Sequence, residues 1–461
     1  MSWTAAKSLG VTCVALVALL AAAPSQAAPD ATPSPEDAAC KKYGPSFFYV
    51  QSAGVCIKHE MSAFAYTGMD FAQSDIEMKG DRFSVPMNGK QLPLLTYYEK
   101  DVSDDTEYPK IGGGITNDVT VVRDTKGGPL VGFFSGALYT DGDFSSSTNL
   151  VDDQNIYNEG TMNFYPGVIQ QAWMRYQGMQ VGIQPSLFDF IGTGYNTFGG
   201  YASRDSTMAI AVSKKFENGS VAFSLEDSSR RDRQDGVLAN YDESIMVDPV
   251  VQFRTRHKNA LFHASAAVHR VSFDGTDFGM ADSETWGAAG RLGAMFEFRS
   301  KGDPDVQGDE QLRKLMASVA VAEGALGYLG VPNFVVDYTA DAESDIKLSK
   351  GVSGLISYMQ MLDDKTKVAV TGSAFWANMG VNETTLWTSL PNCEFTLDQD
   401  VDVWGAKVQI GLERRLKPNL AVGGEASYTW TTVQGTYDGY DADKVSVDYP
   451  EIKAYVSWKL K

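Results

Sequence analysis

Apolar and polar residues alternate with a period of two over long stretches of this 461-residue chain. Trp404, Ala406, Val408, Ile410 and Leu412 fall on one face, while Lys407, Gln409, Glu413 and Arg415 fall on the other. Toward the end, Ile452, Ala454, Val456, Trp458 and Leu460 alternate with Lys453, Tyr455, Ser457 and Lys459. Near the middle, Trp286, Ala288, Leu292, Ala294, Phe296 and Phe298 alternate with Arg291, Glu297 and Arg299. A period of two is that of β-strands, whose side chains point to opposite faces in turn. Apolar faces of about ten residues match a tilted crossing of a bilayer, whereas strands of soluble domains run about 5–6 residues. The pattern therefore predicts that the apolar face meets lipid and the charged face lines a water-filled lumen.

The strands are predicted in pairs, each pair joined by a short polar turn and followed by a long variable stretch. Val119–Arg123 and Leu130–Tyr139 flank Lys126-Gly127-Gly128, Val168–Tyr176 and Met179–Gln184 flank Gly178, and Thr207–Phe216 and Val221–Glu226 flank Asn218-Gly219. Val250–Arg256 and Leu261–Arg270 flank Lys258-Asn259, and Trp286–Phe298 pairs with Leu315–Ala322 across a longer charged turn. Val352–Leu362 and Lys367–Ala377 flank Asp363-Asp364-Lys365, and Val403–Leu416 and Leu420–Thr431 flank Lys417-Pro418-Asn419. With one strand before these hairpins (Cys56–Tyr66) and one after (Ser446–Leu460), the count is about sixteen. The first loop, Thr67 to Asp118, has room for an additional hairpin. A soluble sandwich has no reason to gather its short turns at one end and its long loops at the other. A transmembrane antiparallel barrel does, with short turns to the periplasm and long loops outside.

The chain start adds a compartment. Lys7 precedes an apolar run, Leu9 to Ala23, too short to span a bilayer as a helix. Pro24 breaks it, and Ser25-Gln26-Ala27 offers the small residues of a signal-peptidase site. The expected organisation is a signal peptide over 1–27, a linker and disulfide segment over 28–55, and a barrel over 56–461. Net charge is −19, or −20 once Lys7 is removed with the leader, which excludes a nucleic-acid binder. The 44 Gly and 21 Tyr suit tight turns and interfacial belts. Cys40 and Cys56 flank a short aromatic segment and, in an oxidising compartment, could close a small loop; Cys393 is left over.

The segment Cys40-Lys41-Lys42-Tyr43-Gly44, Phe47-Phe48-Tyr49-Val50, Gly54-Val55-Cys56-Ile57-Lys58 resembles the opening of the alphaproteobacterial porins of rhizobia and their relatives. The run Gln171-Ala172-Trp173-Met174-Arg175-Tyr176-Gln177-Gly178-Met179-Gln180-Val181-Gly182-Ile183-Gln184 resembles the fourth and fifth strands of the same family. These matches cover a small part of the chain. The resemblance implies a trimeric sixteen-stranded porin of the cell outer membrane, in contact with lipid and lipopolysaccharide and passing small hydrophilic solutes and ions by diffusion. The alternative within channels is a pore selective for a sugar or phosphate. Family barrels commonly end in an aromatic residue, whereas here the last residues are Trp458-Lys459-Leu460-Lys461.

The resemblance further implies that the loop after the fifth strand, Pro185 to Asp205, folds inward as the constriction. Asp189 and Asp205 would supply carboxylates, and Phe188, Phe190, Tyr195, Phe198 and Tyr201 would pack the loop to the wall, with Gly192, Gly194, Gly199 and Gly200 allowing it to turn. Opposite charges would come from Arg175, Arg254, Arg256, Arg291, Lys407 and Arg415, or these would simply pair with neighbouring acids on the wall. With Asp189 and Asp205 in the eyelet, the expectation is a weak preference for cations. Aspartates in outer loops (Asp101, Asp104, Asp105, Asp141, Asp143, Asp152, Asp153, Asp438, Asp441 and Asp443) are read as solvated loop charge, with divalent-ion binding as the alternative. No enzyme and no cofactor is expected: the four histidines, His59, His257, His263 and His269, pair with no nucleophile, and no zinc spacing or phosphate loop occurs.

Overall fold

The structure is a computed structural model that describes residues 40–44, 46–71, 84–87, 90–93, 107–143, 163–190, 200–229, 231, 247–273, 283–299, 312–332, 335–340, 346–387, 394–437, 440–441 and 445–460. The expected signal peptide, the linker up to residue 39, Cys393 and most of the outer-loop aspartates lie outside these residues.

Sixteen antiparallel strands close into a barrel. They are β1 (Val55–Phe71), β2 (Glu107–Thr125), β3 (Gly128–Asp143), β4 (Asn163–Tyr176), β5 (Met179–Pro185), β6 (Ser206–Phe216), β7 (Gly219–Asp227) and β8 (Val247–His257). The second half comprises β9 (Ala260–Phe273), β10 (Ser283–Arg299), β11 (Leu312–Glu323), β12 (Lys350–Met361), β13 (Thr366–Trp387), β14 (Glu394–Lys417), β15 (Leu420–Tyr437) and β16 (Val445–Leu460). β1 closes the ring by pairing with β2 on one side and β16 on the other, for example Ala63 with Ile115 and with Trp458. Closure leaves no unpaired edge, which is what lets a sheet sit in hydrocarbon.

Each predicted strand is present, most of them longer than the alternating pattern alone marked. The turn between β4 and β5 shows why the short connections hold: Gln177 (φ 48°) and Gly178 (φ 86°) both adopt positive φ, the geometry of a two-residue hairpin turn that follows the strand twist. The first loop does carry a hairpin, Ser84–Met87 with Lys90–Pro93, but it forms a separate two-stranded sheet and leaves the barrel count unchanged.

Outward positions are apolar and exposed, among them Ile210, Phe223, Leu292, Ile356, Ile410 and Ile452. Directly opposed residues share a face, so cross-strand register carries this band from strand to strand. It also places Arg254, Arg291, Lys407 and Glu413 on the inner face.

At the short-turn end the N-terminal segment enters the lumen. Phe48–Val50 pairs with the start of β1, and a disulfide joins Cys40 to Cys56. The bridge is buried with Val122 under Tyr43, Phe47, Tyr49 and Val131, and Lys42 and Tyr43 both bind Asp124. Its loop-closure contribution is about 3 kcal/mol for a ring of this size. That stabilises the segment rather than a sixteen-stranded barrel. Replacing both cysteines by serine is expected to open the segment between residues 40 and 55 to limited proteolysis while the thermal melt of the β-sheet signal stays in place. A melt lowered together with the new cleavage would show that the bridge holds the barrel itself.

Candidate pore constriction

The loop between β5 and β6 turns inward from its first residues. Its neck is closed by the Ser186 N–H donating to the Asp205 carbonyl (3.0 Å). The Leu187 N–H then donates to Glu226 of β7 (2.9 Å), and Ser265 of β9 donates to the Phe188 carbonyl (2.7 Å). Arg254 of β8 donates to the Asp189 carbonyl (3.2 Å). The Phe190 ring lies against Gly293 of β10, where any side chain would collide with it. The loop returns to the described residues at Gly200, on β13. There the Tyr201 N–H donates to Ser373 (3.1 Å), and its ring meets Phe375 edge-on at 4.5 Å. Burial raises the Tyr201 pKa, so the hydroxyl stays protonated.

A second loop, between β11 and β12, also folds inward. Its Leu326–Leu329 turn is fully buried. The Tyr328 hydroxyl donates to Asp248 of β8 (2.7 Å), and Arg291 of β10 donates to the Tyr328 carbonyl (2.9 Å). His269 of β9 sits between two carboxylates, 3.0 Å from Asp248 and 3.8 Å from Asp337, and Asp337 also receives the Leu326 N–H. The two loops touch backbone to backbone. Gly330 has φ +73°, and a Cβ there would lie 2.5 Å from the Ala202 carbonyl carbon. Only glycine meets both demands.

Arg231, from the loop after β7, ties the two together. Its guanidinium binds Asp189 (3.2 Å) and Ser203 (2.6 Å) of one inward loop and lies 4.2 Å from the Tyr328 ring centroid of the other. The side chain is 1% exposed and that of Asp189 0%. Burial alone would lower the Arg231 pKa, but Asp189, with Tyr328, Asp205 and Glu226, raises it above the ordinary arginine value, so the charge persists in the interior. Tyr328 is pushed far up by burial and by Asp248, which keeps it a donor. Around these groups Phe188, Tyr201, Leu326, Leu329, Val335 and Phe375 form an apolar core inside the barrel.

The sequence-predicted residues thus divide. Asp189, Arg254 and Arg291 come together in the loop cluster, and Asp205 borders it with a side chain 42% exposed. Arg256 lies toward the short-turn rim, 3.8 Å from Glu297, and Arg175 is exposed beside Trp173 at 5.5 Å. Lys407 is half-buried and Arg415 exposed, both on β14. Tyr195, Phe198, Gly192, Gly194 and Gly199 lie outside the described residues. Asp189 has no face to the passage. One oxygen of its carboxylate binds Arg231 and accepts the Asp205 N–H (2.8 Å), so of the two loop acids behind the expected cation preference only Asp205 is exposed.

Arg231, the β11–β12 loop and the Asp248–His269–Asp337 cluster were not singled out by sequence. The loop did carry a signal, since Ala325-Leu326-Gly327-Tyr328-Leu329-Gly330-Val331 is too apolar for a solvated surface loop.

No protein-family model and no curated protein sequence matches this chain. Solved structures match it in shape. The outer membrane channel DcaP of Acinetobacter baumannii is similar with a TM-score of 0.52 at 14% identity, over 89% of this chain and 99% of that one. The anion-selective porin from Comamonas acidovorans gives 0.43 at 10% identity over 88% and 100%, and Salmonella typhi OmpF in complex with daunomycin gives 0.40 at 11% over 89% and 99%. At such identities the likeness is one of fold, and the match to DcaP carries it: this chain has the barrel fold of an outer-membrane channel.

Proposed function

We propose that the chain is an outer-membrane porin through which small hydrophilic solutes and ions diffuse passively. The observation that carries this reading is the unequal treatment of the inner wall. Among the described residues the polar anchors of both inward loops lie on β7 to β13, and their apolar core extends to Val403 of β14 and Val433 of β15, where Tyr201 lies 3.5 Å from Thr431. Elsewhere the inner face keeps exposed charges, with Glu60 on β1, Arg175 on β4, Arg415 at the short-turn end of β14 and Lys459 on β16. A lumen filled on one side and charged on the other is a constricted aqueous passage. Residues 1–27 act in this reading as the export signal, and the N-terminal segment supports a relationship to the rhizobial porins.

We further propose a homotrimer, joined through the wall that contains β1 and β2. His59 and Asn117 lie on the outward face and bond one another at 2.7 Å. Polar side chains facing lipid are costly, and a second copy against this wall would cover them. Replacing both by leucine is expected to shift the detergent-solubilised protein from trimer to monomer in mass photometry. A wild type that is already monomeric would end this part of the proposal.

The channel reading is tested in planar bilayers, where the wild type is expected to give discrete conductance steps. Arg231→Ala leaves Asp189 buried without its partner, a loss of about 3–5 kcal/mol for a pair of this kind. It is expected to free the inward loops, giving larger and noisier steps with the barrel still folded. Steps of unchanged size from a folded Arg231→Ala protein would place the narrowest point elsewhere.

A further inference from the structure

We infer that the periplasmic end of the lumen holds an oxyanion-binding station formed by Arg415, Lys459 and Lys367, a site for phosphate-bearing solutes. The inference rests on the channel reading and names a solute class for it.

Register carries the argument. Lys367 of β13 opposes Glu413 of β14, and Arg415 follows Glu413 on the same inner face. Arg415 opposes Ala421 of β15, which opposes Ser457 of β16, and Lys459 is the next inward residue on β16. Arg415 and Lys459 therefore flank a floor of two small residues, Ala421 and Ser457. Neighbouring strands are roughly 5 Å apart, so the two long side chains span this floor and can converge above it. Lys367 lies diagonally across from Arg415, because it opposes Glu413 two residues earlier on β14.

The carboxylate within this group does not neutralise it. Glu413 binds the Lys367 ammonium through one oxygen (2.5 Å) and accepts the Tyr455 hydroxyl on the other (3.1 Å). Of the other inward acids nearby, Glu60 is on β1 and taken by Lys58 (2.5 Å), and Asp118 is a strand further away on β2. Among the described residues, neither Arg415 nor Lys459 has a carboxylate partner. Both are exposed to the lumen. Two solvated cations across a small floor, with the Ser457 hydroxyl between them, suit a group that offers several acceptor oxygens. The planar guanidinium matches two of them at once, and an ammonium supplies a second point charge. Chloride offers no such match.

The test uses the full-length wild type and the double variant Arg415→Gln, Lys459→Gln, with inorganic phosphate as the probe and two readouts. Broadening of the ³¹P resonance in detergent measures binding, and single-channel chloride current in a bilayer measures block. The wild type is expected to bind phosphate and to lose chloride current as phosphate is added. The double variant, folded by circular dichroism, is expected to bind about a hundredfold more weakly, since each of the two lost charge-assisted bonds is worth about tenfold or more, and its reversal potential should move toward cations. A conducting wild type that broadens no ³¹P signal overturns the station, as does a double variant that binds equally well. An inserted wild type without current steps overturns the channel reading instead, while ³¹P binding lost in the double variant would still uphold the station.

Discussion

The segments folded into this barrel meet at one buried ion pair. The Arg231–Asp189 contact joins the loop after β7 to the loop after β5, and the same guanidinium lies over Tyr328 of the loop after β11. Three chain segments far apart in sequence meet at one cation. A buried pair of this sort gains little over a well-packed apolar substitute, because each charge must leave water. Its value is positional. The buried arginine needs the Asp189 carboxylate in that interior, and with Ser203 the pair fixes where the loops meet.

The pair works because the barrel excludes water from part of its own lumen. Loops folded into a channel cannot use the lipid-facing side chains for a core, so they carry one with them. Phe188, Tyr201, Leu326 and Leu329 supply it, together with the inward Phe375 of β13, and Ser203, Ser265, Ser353 and Ser373 satisfy buried polar groups around it. Glycine makes the approach possible, at Gly293 under the Phe190 ring and at Gly330 against the Ala202 backbone. The lumen is thereby two environments, a dry one over β7 to β13 that reaches Val403 of β14 and Val433 of β15, and a wet one from β16 round to β4.

How much of this was legible in sequence follows from which forces leave periodic traces. Lipid outside and water inside impose alternation on every strand, so the strands, their pairing and the closed count could be read from residues such as Trp404 to Arg415. The inward loop after the fifth strand was implied by the resemblance to the rhizobial porins and not by periodicity. What could not be read was its electrostatics. Asp189 looked like a pore acid because its partner, Arg231, lies in a charged run that sequence would assign to a solvated surface. Non-periodic, long-range pairings of single residues leave no local mark. The β11–β12 loop is intermediate, since its apolar run from Ala325 to Val331 declared burial without declaring where.

This division also resolves the conflict between an acidic chain and a basic inner wall. The net charge of −19 is a sum over the whole chain, including many residues of the outer loops, where charges are screened beyond about 8 Å at physiological salt. Within the dry cluster, Asp189, Asp248 and Asp337 are matched to Arg231, His269 and backbone donors, and they project little field into the passage. The exposed charges of the lumen are those left on the wet wall. Toward the short-turn end these include Arg415 and Lys459, while Lys58 is paired with Glu60 and the buried Lys367 with Glu413. The charges exposed inside the barrel are those the loops leave uncovered, so formal net charge is a poor guide to the character of its lumen.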